Sequence, residues 1–362
     1  MDLVTALARA RTAERPGPDT PAGPAVPDWP GPARAIPPAG PGLLDLDRLL
    51  RLSLAAADPR GRLRPAPSAG GLHPVDARLA VGAGCSLPPG TYGYDPLRHR
   101  VHRLSPAPQA APSGVTVELT VTARRTASHY GHRAWPLLLL DTGHTAAALA
   151  LAARALATAP AAVRLDGAGE HPLAAVHVPP PAPGPHPPDP DAPAPAELLA
   201  RRSAPPPLPG TPAREDLHAV LTTAREAGAG RLRWCVAVGG PRPELVEAAP
   251  DGTLRRLAGG EARPTLAAWA AGQGWIADAG AVLLGYGCPS DAGPPRIRGD
   301  HLHAGHAVGC ALLTAARRGL AARPVGSWQR ADLGAALGGP PARNWIVHGL
   351  ALGAGRPEKR TT

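Results

Sequence analysis

The chain has 362 residues, which is enough for a sizeable core or for two domains of ordinary size. Its formal net charge is +10, yet the arginines are scattered and no basic run is interleaved with aromatic residues. This argues against a nucleic-acid partner and favours an acidic substrate or partner. The four cysteines form no C-x-x-C pair and no zinc-spaced cluster, so free thiols and no metal are expected.

Targeting signals are not evident at the N-terminus. Met1, Asp2 and Leu3 do not resemble the basic start of a secretory signal. No uncharged apolar run reaches the roughly 20 residues that span a bilayer. We therefore expect a cytoplasmic protein with no membrane partner.

Two proline-rich stretches divide the chain. The first covers about residues 15–41, after a short helical opening, and the second runs from Val178 to Pro195. Proline at this density disfavours both helix and sheet, which predicts extended, semi-rigid segments. The predicted organisation is an N-terminal segment (1–42), a first half (43–177), a linker (178–196) and a second half (197–362).

The two halves share a long-period pattern that indicates an internal duplication. Each opens with an amphipathic helix that ends in Arg-x-Ser, at Arg51 to Ser53 and at Arg201 to Ser203. Each continues with β-like segments, including 77–81 and 232–238, and later has an alanine-rich helix behind a Gly-His pair. Strands mixed with long helices predict an α+β fold.

The most specific stretch contains a rigid proline, a hydroxyl and two residues without a Cβ: Pro67, Ser68, Ala69, Gly70 and Gly71. Backbone N–H groups in such a stretch can approach a flat polar ligand closely. An ordinary glycine-rich turn is the alternative. We call residues 67–71 the glycine segment.

The neighbourhood of the glycine segment resembles a known family. PSAGGLHP, then LPPGTYGYDP, then SHYGHRA and DTGH, resemble the SagB-type azoline dehydrogenases of the nitroreductase superfamily, over about residues 43–157. In the second half, RRS, GQGWIADA, AGH, PVGSW and HGLALG are similar to nitroreductase elements over about residues 197–354. The resemblance implies a nitroreductase-like fold in which two fused halves form a pseudo-dimer.

The resemblance also implies FMN as the cofactor. It assigns the FMN phosphate to Arg201 and Ser203, with Arg356 as a weaker C-terminal candidate, since arginine forms charge-assisted bonds with phosphate. It assigns the reactive edge of the flavin to the backbone of Val325 and Gly326, which we call the 325–326 turn. The glycine segment would form one wall of the pocket.

The two halves have lost different flavin-site motifs. The first half has no P-V-G turn and the second has no P-S-A-G-G. One complete flavin site per chain is therefore expected. A second site with the roles of the two halves exchanged, which we call the mirror site, would have only Arg51 and Ser53.

The resemblance places His129 and Tyr130 where the azoline dehydrogenases have a Lys-Tyr pair credited with proton removal. Histidine is a competent base near neutral pH, so His129 and Tyr130 are the predicted catalytic pair; a surface His129 and a packed Tyr130 are the alternative. His144 and His306 are predicted to be structural anchors at helix N-termini. Asp300, His301, His303 and His306 match no zinc signature.

The implied function is FMN-dependent oxidation of azolines to azoles in a ribosomally synthesised peptide, with a peptide substrate and a cyclodehydratase as a candidate partner. One alternative is a flavin reductase or nitroreductase that acts on another small molecule. Another is a flavin-free scaffold partner in a biosynthetic complex. The sequence leaves further oligomerisation open.

Overall fold

The computed structural model describes residues 2–107, 111–166, 173–181, 189–249 and 253–355. The chain forms two compact units. The first unit comprises Pro18–His129 and Asp141–Arg201, and the second comprises Met1–Gly17, Tyr130–Leu140 and Arg202–Thr362. This division differs from the sequence-based boundaries in its assignment of Met1–Gly17 and Tyr130–Leu140, and those boundaries stay a prediction.

The first unit contains a seven-stranded antiparallel sheet in the order β1-β4-β3-β2-β5-β7-β6. Alternate residues of the central strand β5, such as Val115, Val117 and Leu119, are buried, as expected for a sheet with one face on the core. The strands are β1 (Ala33–Arg34), β2 (Val75–Val81), β3 (Gly90–Asp95), β4 (Arg100–Ser105), β5 (Val115–Val121), β6 (Ala162–Arg164) and β7 (Ala174–Val178).

In the described residues, four α-helices accompany this sheet along the chain. They are α2 (Leu46–Ser53), α3 (Arg124–Tyr130), α4 (Ala134–Ala155) and α5 (Pro195–Ala200). Asp45 caps α2 by accepting a hydrogen bond from the backbone N–H of Arg48, which satisfies one of the free donors of the first turn.

The second unit contains a six-stranded antiparallel sheet in the order β10-β9-β8-β11-β13-β12. The central strands β11 and β13 are buried along most of their length. The strands are β8 (Arg233–Val238), β9 (Glu244–Ala248), β10 (Leu254–Gly259), β11 (Ala281–Gly287), β12 (Ala321–Val325) and β13 (Trp345–Gly353).

In the second unit, helices α1 and α6 pack against the long helix α8. A Cβ on Gly305 would lie 2.1 Å from the carbonyl oxygen of Leu140, so only glycine allows α8 to approach the start of α4 this closely. The helices are α1 (Leu3–Ala10), α6 (Arg214–Ala227), α7 (Arg263–Trp269), α8 (Pro294–Arg317) and α9 (Leu333–Ala336).

The prediction that His144 and His306 stand at helix N-termini is wrong. Helix α4 begins at Ala134 and α8 at Pro294, so both histidines lie inside helices. Pro294 and Pro295 start α8 because the first turn of a helix needs no proline N–H. His144 is buried with its Nδ1 3.9 Å from Asp141, and the Nδ1 of His306 lies 3.3 Å from the carbonyl oxygen of Ala227.

The predicted α+β class is confirmed, and the two sheets agree with two fused halves. Cys85, Cys235 and Cys288 are buried thiols outside any disulfide. Strand β7 ends at Val178 and helix α5 begins at Pro195; residues 182–188 of the predicted linker lie outside the described ranges.

The N-terminal proline-rich segment takes part in the fold of the first unit. Strand β1 pairs with β4, and the Trp29 Nε1 donates to the carbonyl oxygen of Tyr94 over 3.2 Å. A Cβ on Gly93 would lie 2.2 Å from the Trp29 ring, so the indole rests directly on the β3 backbone.

One helical stretch, Arg124–Ala155, is long and apolar enough to cross a membrane by length and composition alone. Its mean hydropathy is 1.3, but 78% of the apolar window is buried inside the structure, as in a core helix. The stretch is therefore weak evidence for a membrane span.

Candidate functional site

The glycine segment lies between α2 and β2 in the first unit. Ser68 is extended, and Ala69–Gly71 form one turn of 3-10 helix in which Gly70 and Gly71 have φ values of 62° and 64°. L-residues other than glycine rarely adopt this left-handed conformation. Gly70 is exposed and Gly71 partly exposed, so a ligand has access to this backbone.

Asp141 holds the first part of the glycine segment. The Ser68 hydroxyl donates to its Oδ2 over 2.7 Å, and the Ala69 N–H lies 3.1 Å from its Oδ1. Ser68 Oγ in turn accepts from the backbone N–H of His73. The Ser68 hydroxyl and the Ala69 N–H are therefore occupied by Asp141. The backbone that stays accessible to a ligand is that of Gly70 and Gly71.

Burial dominates the electrostatics of Asp141. The side chain is almost fully enclosed, which raises the pKa of its carboxyl to about 7, although the hydrogen bonds from Ser68 and Ala69 favour the ionised form. Asp141 also lines a small cavity with Ser68, Arg64 and His73. A carboxyl group near its midpoint at neutral pH therefore holds the first part of the glycine segment.

Arg201 lies beside the glycine segment. Its Nε donates to the carbonyl oxygen of Pro65 over 2.6 Å, and its Nη2 to that of Arg64 over 3.2 Å. The structure therefore brings together two predicted cofactor elements that are more than 130 positions apart in sequence. The positive charge of Arg201 also acts on His73. Burial, together with the nearby guanidinium groups of Arg64 and Arg201, lowers the pKa of His73 to about 3.

The residues of the predicted mirror site are engaged within their own helix. Arg51 donates to both carboxylate oxygens of Asp47, over 2.7 and 3.2 Å. The buried Ser53 hydroxyl donates to the carbonyl oxygen of Leu49. The single complete site per chain stays a prediction.

The 325–326 turn begins at Val325, the last residue of strand β12 in the second unit. The carbonyl oxygen of Val325 accepts from the indole Nε1 of Trp328 over 3.1 Å and from Nδ1 of His348 over 3.0 Å. A Cβ on Gly326 would lie 2.7 Å from a terminal methyl group of Leu137, whose flexible side chain could move aside. Two donors on one carbonyl oxygen fix the orientation of this peptide group.

Ser203 lies just beyond α5, which ends at Ala200, and is partly exposed. Its neighbour Ala204 donates its N–H to the carbonyl oxygen of Ala322 over 2.9 Å, which ties this stretch to β12 of the second unit. Arg356, the weaker phosphate candidate, lies outside the described residues.

The predicted catalytic pair lies at the end of α3. The His129 side chain is 53% exposed, and its Nδ1 is 3.1 Å from the carboxylate of Asp19. Tyr130 is partly buried and lies close enough to Arg133 to influence its charge. These positions do not test the catalytic assignment, which stays a prediction.

Three supporting residues were missed by the sequence prediction: Asp141, Trp328 and His348. Each belongs to a motif that was identified in the sequence, but its hydrogen-bond partner depends on how the chain folds. Asp141 is 73 positions from Ser68, and His348 is 23 positions from Val325. The only sequence signal was their presence in the stretches DTGH, PVGSW and HGLALG.

Among the described residues, no group of three or more His, Cys, Asp or Glu side chains is arranged to hold a metal ion. Asp300 is buried beside Arg296 and Arg231, and His301 Nδ1 donates to the carbonyl oxygen of Ile297. These contacts tie Asp300 and His301 into the surrounding protein.

Comparison with known proteins identifies the fold. The structure is similar to that of a "putative nitroreductase" from Anabaena variabilis ATCC 29413, with a TM-score of 0.71 over 98% of this chain and 100% of that chain, at 18% identity. The chain has the nitroreductase fold. No protein-family model and no curated protein matches the sequence.

Two further solved structures align with part of this nitroreductase-fold chain. A protein of the same description in complex with FMN, from Desulfovibrio desulfuricans, covers 46% of this chain and 90% of its own, with 23% identity and a TM-score of 0.32. The E. coli microcin synthetase McbBCD complex with truncated pro-MccB17 bound covers 40% and 69%, with 16% identity and a TM-score of 0.31.

Proposed function

We propose that this chain is an FMN-dependent oxidoreductase. The observation that carries the proposal is the hydrogen bond from Arg201 to the carbonyl oxygen of Pro65, because Pro65 lies just before the glycine segment in the same unit. The nitroreductase fold over the full length of a similar protein supports it.

The residues present fit FMN. Gly70 and Gly71 offer accessible left-handed backbone, which a flat ring edge can approach, and Arg201 offers a guanidinium for a phosphate. Ser203, Val325 and Gly326 are the corresponding candidates in the second unit. When bound, FMN would supply hydride transfer, and the protein would supply placement and proton transfer.

The reaction we propose is the oxidation of an azoline to an azole in a ribosomally synthesised peptide. Each turnover removes a hydride and a proton from the ring, and dioxygen takes up the two electrons. Tyr130 or His129 would accept the proton, and Asp19 would orient the imidazole of His129. A cyclodehydratase is the class of enzyme that would form the azoline.

The first test is flavin content. The full chain, purified and reconstituted with FMN, should be yellow and bind about one FMN per chain, as the complementary losses of the two halves predict. A ratio near two would contradict the single site. A colourless protein that binds no FMN would contradict the proposed function and favour a scaffold role.

The second test separates the proposed substrate from others. FMN-loaded protein should convert an azoline-containing peptide to the azole, with a mass loss of two hydrogens, and Tyr130→Phe with His129→Ala should abolish this. Tyr92→Phe is the matched control, since the Tyr92 hydroxyl only donates to the carbonyl oxygen of Pro88. Reduction of nitro compounds or quinones without azoline turnover would favour the reductase alternative.

A further inference from the structure

A surface groove lies at the edge of the sheet of the first unit, where the short strand β1 meets the end of β4. It contains about 300 Å³ of space accessible to water and is open to solvent. Its lining combines apolar groups with two arginines and is formed by Pro32, Arg34, Arg103, Leu104, Ser105 and Pro106. An open groove of this size can accommodate part of an extended chain.

The edge of β4 beside the groove is only partly paired. Strand β1 consists of two residues, which pair with Val101 and His102. The residue before β1 is Pro32, which has no N–H with which to continue the ladder. In the described residues, Arg103 and Ser105 pair with β3 and have no strand partner on the other side of β4. Such an edge can pair with an added extended segment.

Arg34 and Arg103 lie on the same face of this sheet edge. Arg34 pairs with Val101, and Arg103 follows Val101 by two positions, so the alternation of strand side chains places both arginines on one face. The electrostatics of Tyr92, the β3 partner of Arg103, agree with this placement. Burial raises the pKa of the Tyr92 hydroxyl, and the positive charges of Arg103 and Arg34 both oppose the rise.

The charges of these two arginines are not neutralised by nearby acidic groups. In the described ranges, Arg34 and Arg103 are exposed and no carboxylate forms an ion pair with either of them. Other exposed arginines of the first unit do have such a partner, as Arg51 has Asp47. No Asp or Glu lines the groove. The described lining therefore presents two positive charges without a countercharge.

We propose that this groove is a docking site for an extended, acidic peptide. Carboxylates at alternate positions of the peptide would pair with Arg34 and Arg103, because alternate side chains of an extended chain point to the same face. The peptide backbone would run along the open edge of β4, and Leu104 and Pro106 would contact its apolar side chains. This interaction goes beyond the flavin chemistry and does not depend on it.

The test is a fluorescence anisotropy titration of the full chain with a fluorescein-labelled peptide of alternating Glu and Val, about ten residues long. Saturable binding that weakens as the salt concentration rises is the expected result, because salt screens exposed charges. A peptide of alternating Gln and Val, which has the same shape without the charge, should bind roughly tenfold more weakly. Equal binding of the two peptides, or no binding of either, would overturn the proposal.

Substitutions of the two arginines localise the binding. Arg34→Gln and Arg103→Gln should each weaken binding of the Glu-Val peptide about threefold, and together roughly tenfold. Arg48→Gln is the matched control, since Arg48 is exposed on α2 and does not line the groove. An equal loss in Arg48→Gln would indicate general attraction to a basic protein and would overturn docking in this groove.

Charge reversal provides a gain of binding that an unfolded variant could not show. The double variant Arg34→Glu with Arg103→Glu should lose the Glu-Val peptide and bind a peptide of alternating Lys and Val instead. Binding of the Lys-Val peptide would support the proposal. A double variant that unfolds at the same temperature as the parent but still binds the Glu-Val peptide as tightly would overturn it.

Nucleic acid is the competing occupant, because phosphates also pair with arginine. Displacement of the Glu-Val peptide by single-stranded oligothymidylate at a lower concentration than by unlabelled peptide would assign the groove to nucleic acid and overturn peptide docking. Weaker displacement by the oligonucleotide supports the proposal. Peptide binding by a protein that takes up no FMN would support it as well, even though the proposed function would then fail.

Discussion

Ser68 donates its hydroxyl hydrogen to Asp141 over 2.7 Å, and this bond joins the glycine segment to the N-terminal part of helix α4. The carboxyl group has a pKa near 7, so the acceptor changes its charge close to neutral pH. Both the stability of the first unit and the shape of the glycine segment should therefore depend on this one proton.

Asp141→Asn should flatten the pH dependence of stability. The native carboxyl, with a pKa of about 7, holds its proton between about pH 4 and 7, where the unfolded chain has released it. The free energy of unfolding should therefore fall as pH rises through this window, by up to roughly 1.4 kcal/mol per pH unit. Urea unfolding at several pH values measures the slope, which the variant should lose.

The control for this prediction is Asp291→Asn, because Asp291 is exposed and pairs only with Arg343 on the surface. It should leave the slope as in the parent protein. An unchanged slope in Asp141→Asn would mean that Asp141 is ionised throughout, and the proposed protonation would be wrong.

Gly71→Ala should weaken FMN binding beyond its effect on stability. Its φ of 64° is unfavourable for alanine, so unfolding should require about 1 kcal/mol less free energy. Gly230→Ala, at a φ of 69° with open space around it, should destabilise equally but retain FMN affinity. Fluorescence titration with FMN distinguishes the two, and equal affinities would remove the glycine segment from the cofactor site.

Arg201→Gln should lower FMN affinity at least tenfold, because a charge-assisted bond to a phosphate contributes about 1.5–3 kcal/mol. Arg51→Gln is the matched control from the first half, since Arg51 is held by Asp47. Riboflavin, which lacks the phosphate, should bind both variants and the parent alike. A similar loss of riboflavin affinity in Arg201→Gln would indicate a structural role for Arg201 through Pro65.

His348→Asn should make the protein less sensitive to acid. Burial lowers the pKa of His348 to about 3, so between about pH 6.5 and 3 the unfolded chain binds a proton that the native state excludes. The contribution of the neutral imidazole to the free energy of unfolding is thus fully present above pH 6.5 and is lost as the pH falls below that value. The variant should unfold more easily at pH 8, where the imidazole packs well, but lose less stability on going to pH 5.

The partly exposed His102 offers the comparison for this experiment. His102→Asn should follow the parent profile at both pH values. If His348→Asn loses as much stability between pH 8 and 5 as the parent, the acid sensitivity arises elsewhere, for instance from the buried His73 or His301.

The sequence was most informative where a local pattern determines structure. The β-like segments predicted at 77–81 and 232–238 coincide with most of strands β2 and β8. The start of α8 was signalled by Pro294-Pro295, but the family resemblance drew attention to Gly305-His306 instead.

Hydrogen bonds between residues that are distant in sequence could not be predicted. The bonds of Ser68 to Asp141, Arg201 to Pro65 and His348 to Val325 depend on which elements the fold packs together, and no residue pattern encodes such a pairing. The pKa of Asp141 could not be predicted either, because burial causes the shift and burial is a property of the folded chain.

The indole of Trp29 on the β3 backbone bears on how the protein can be shortened. A recombinant chain that begins at residue 43 would lack this indole and the β1 strand, which would uncover Gly93 and leave β4 as an unpaired edge. Unpaired edges template intermolecular pairing. Aggregation of such a chain would therefore reflect a missing structural part, and crystallisation trials or affinity tags should preserve residues 24–34.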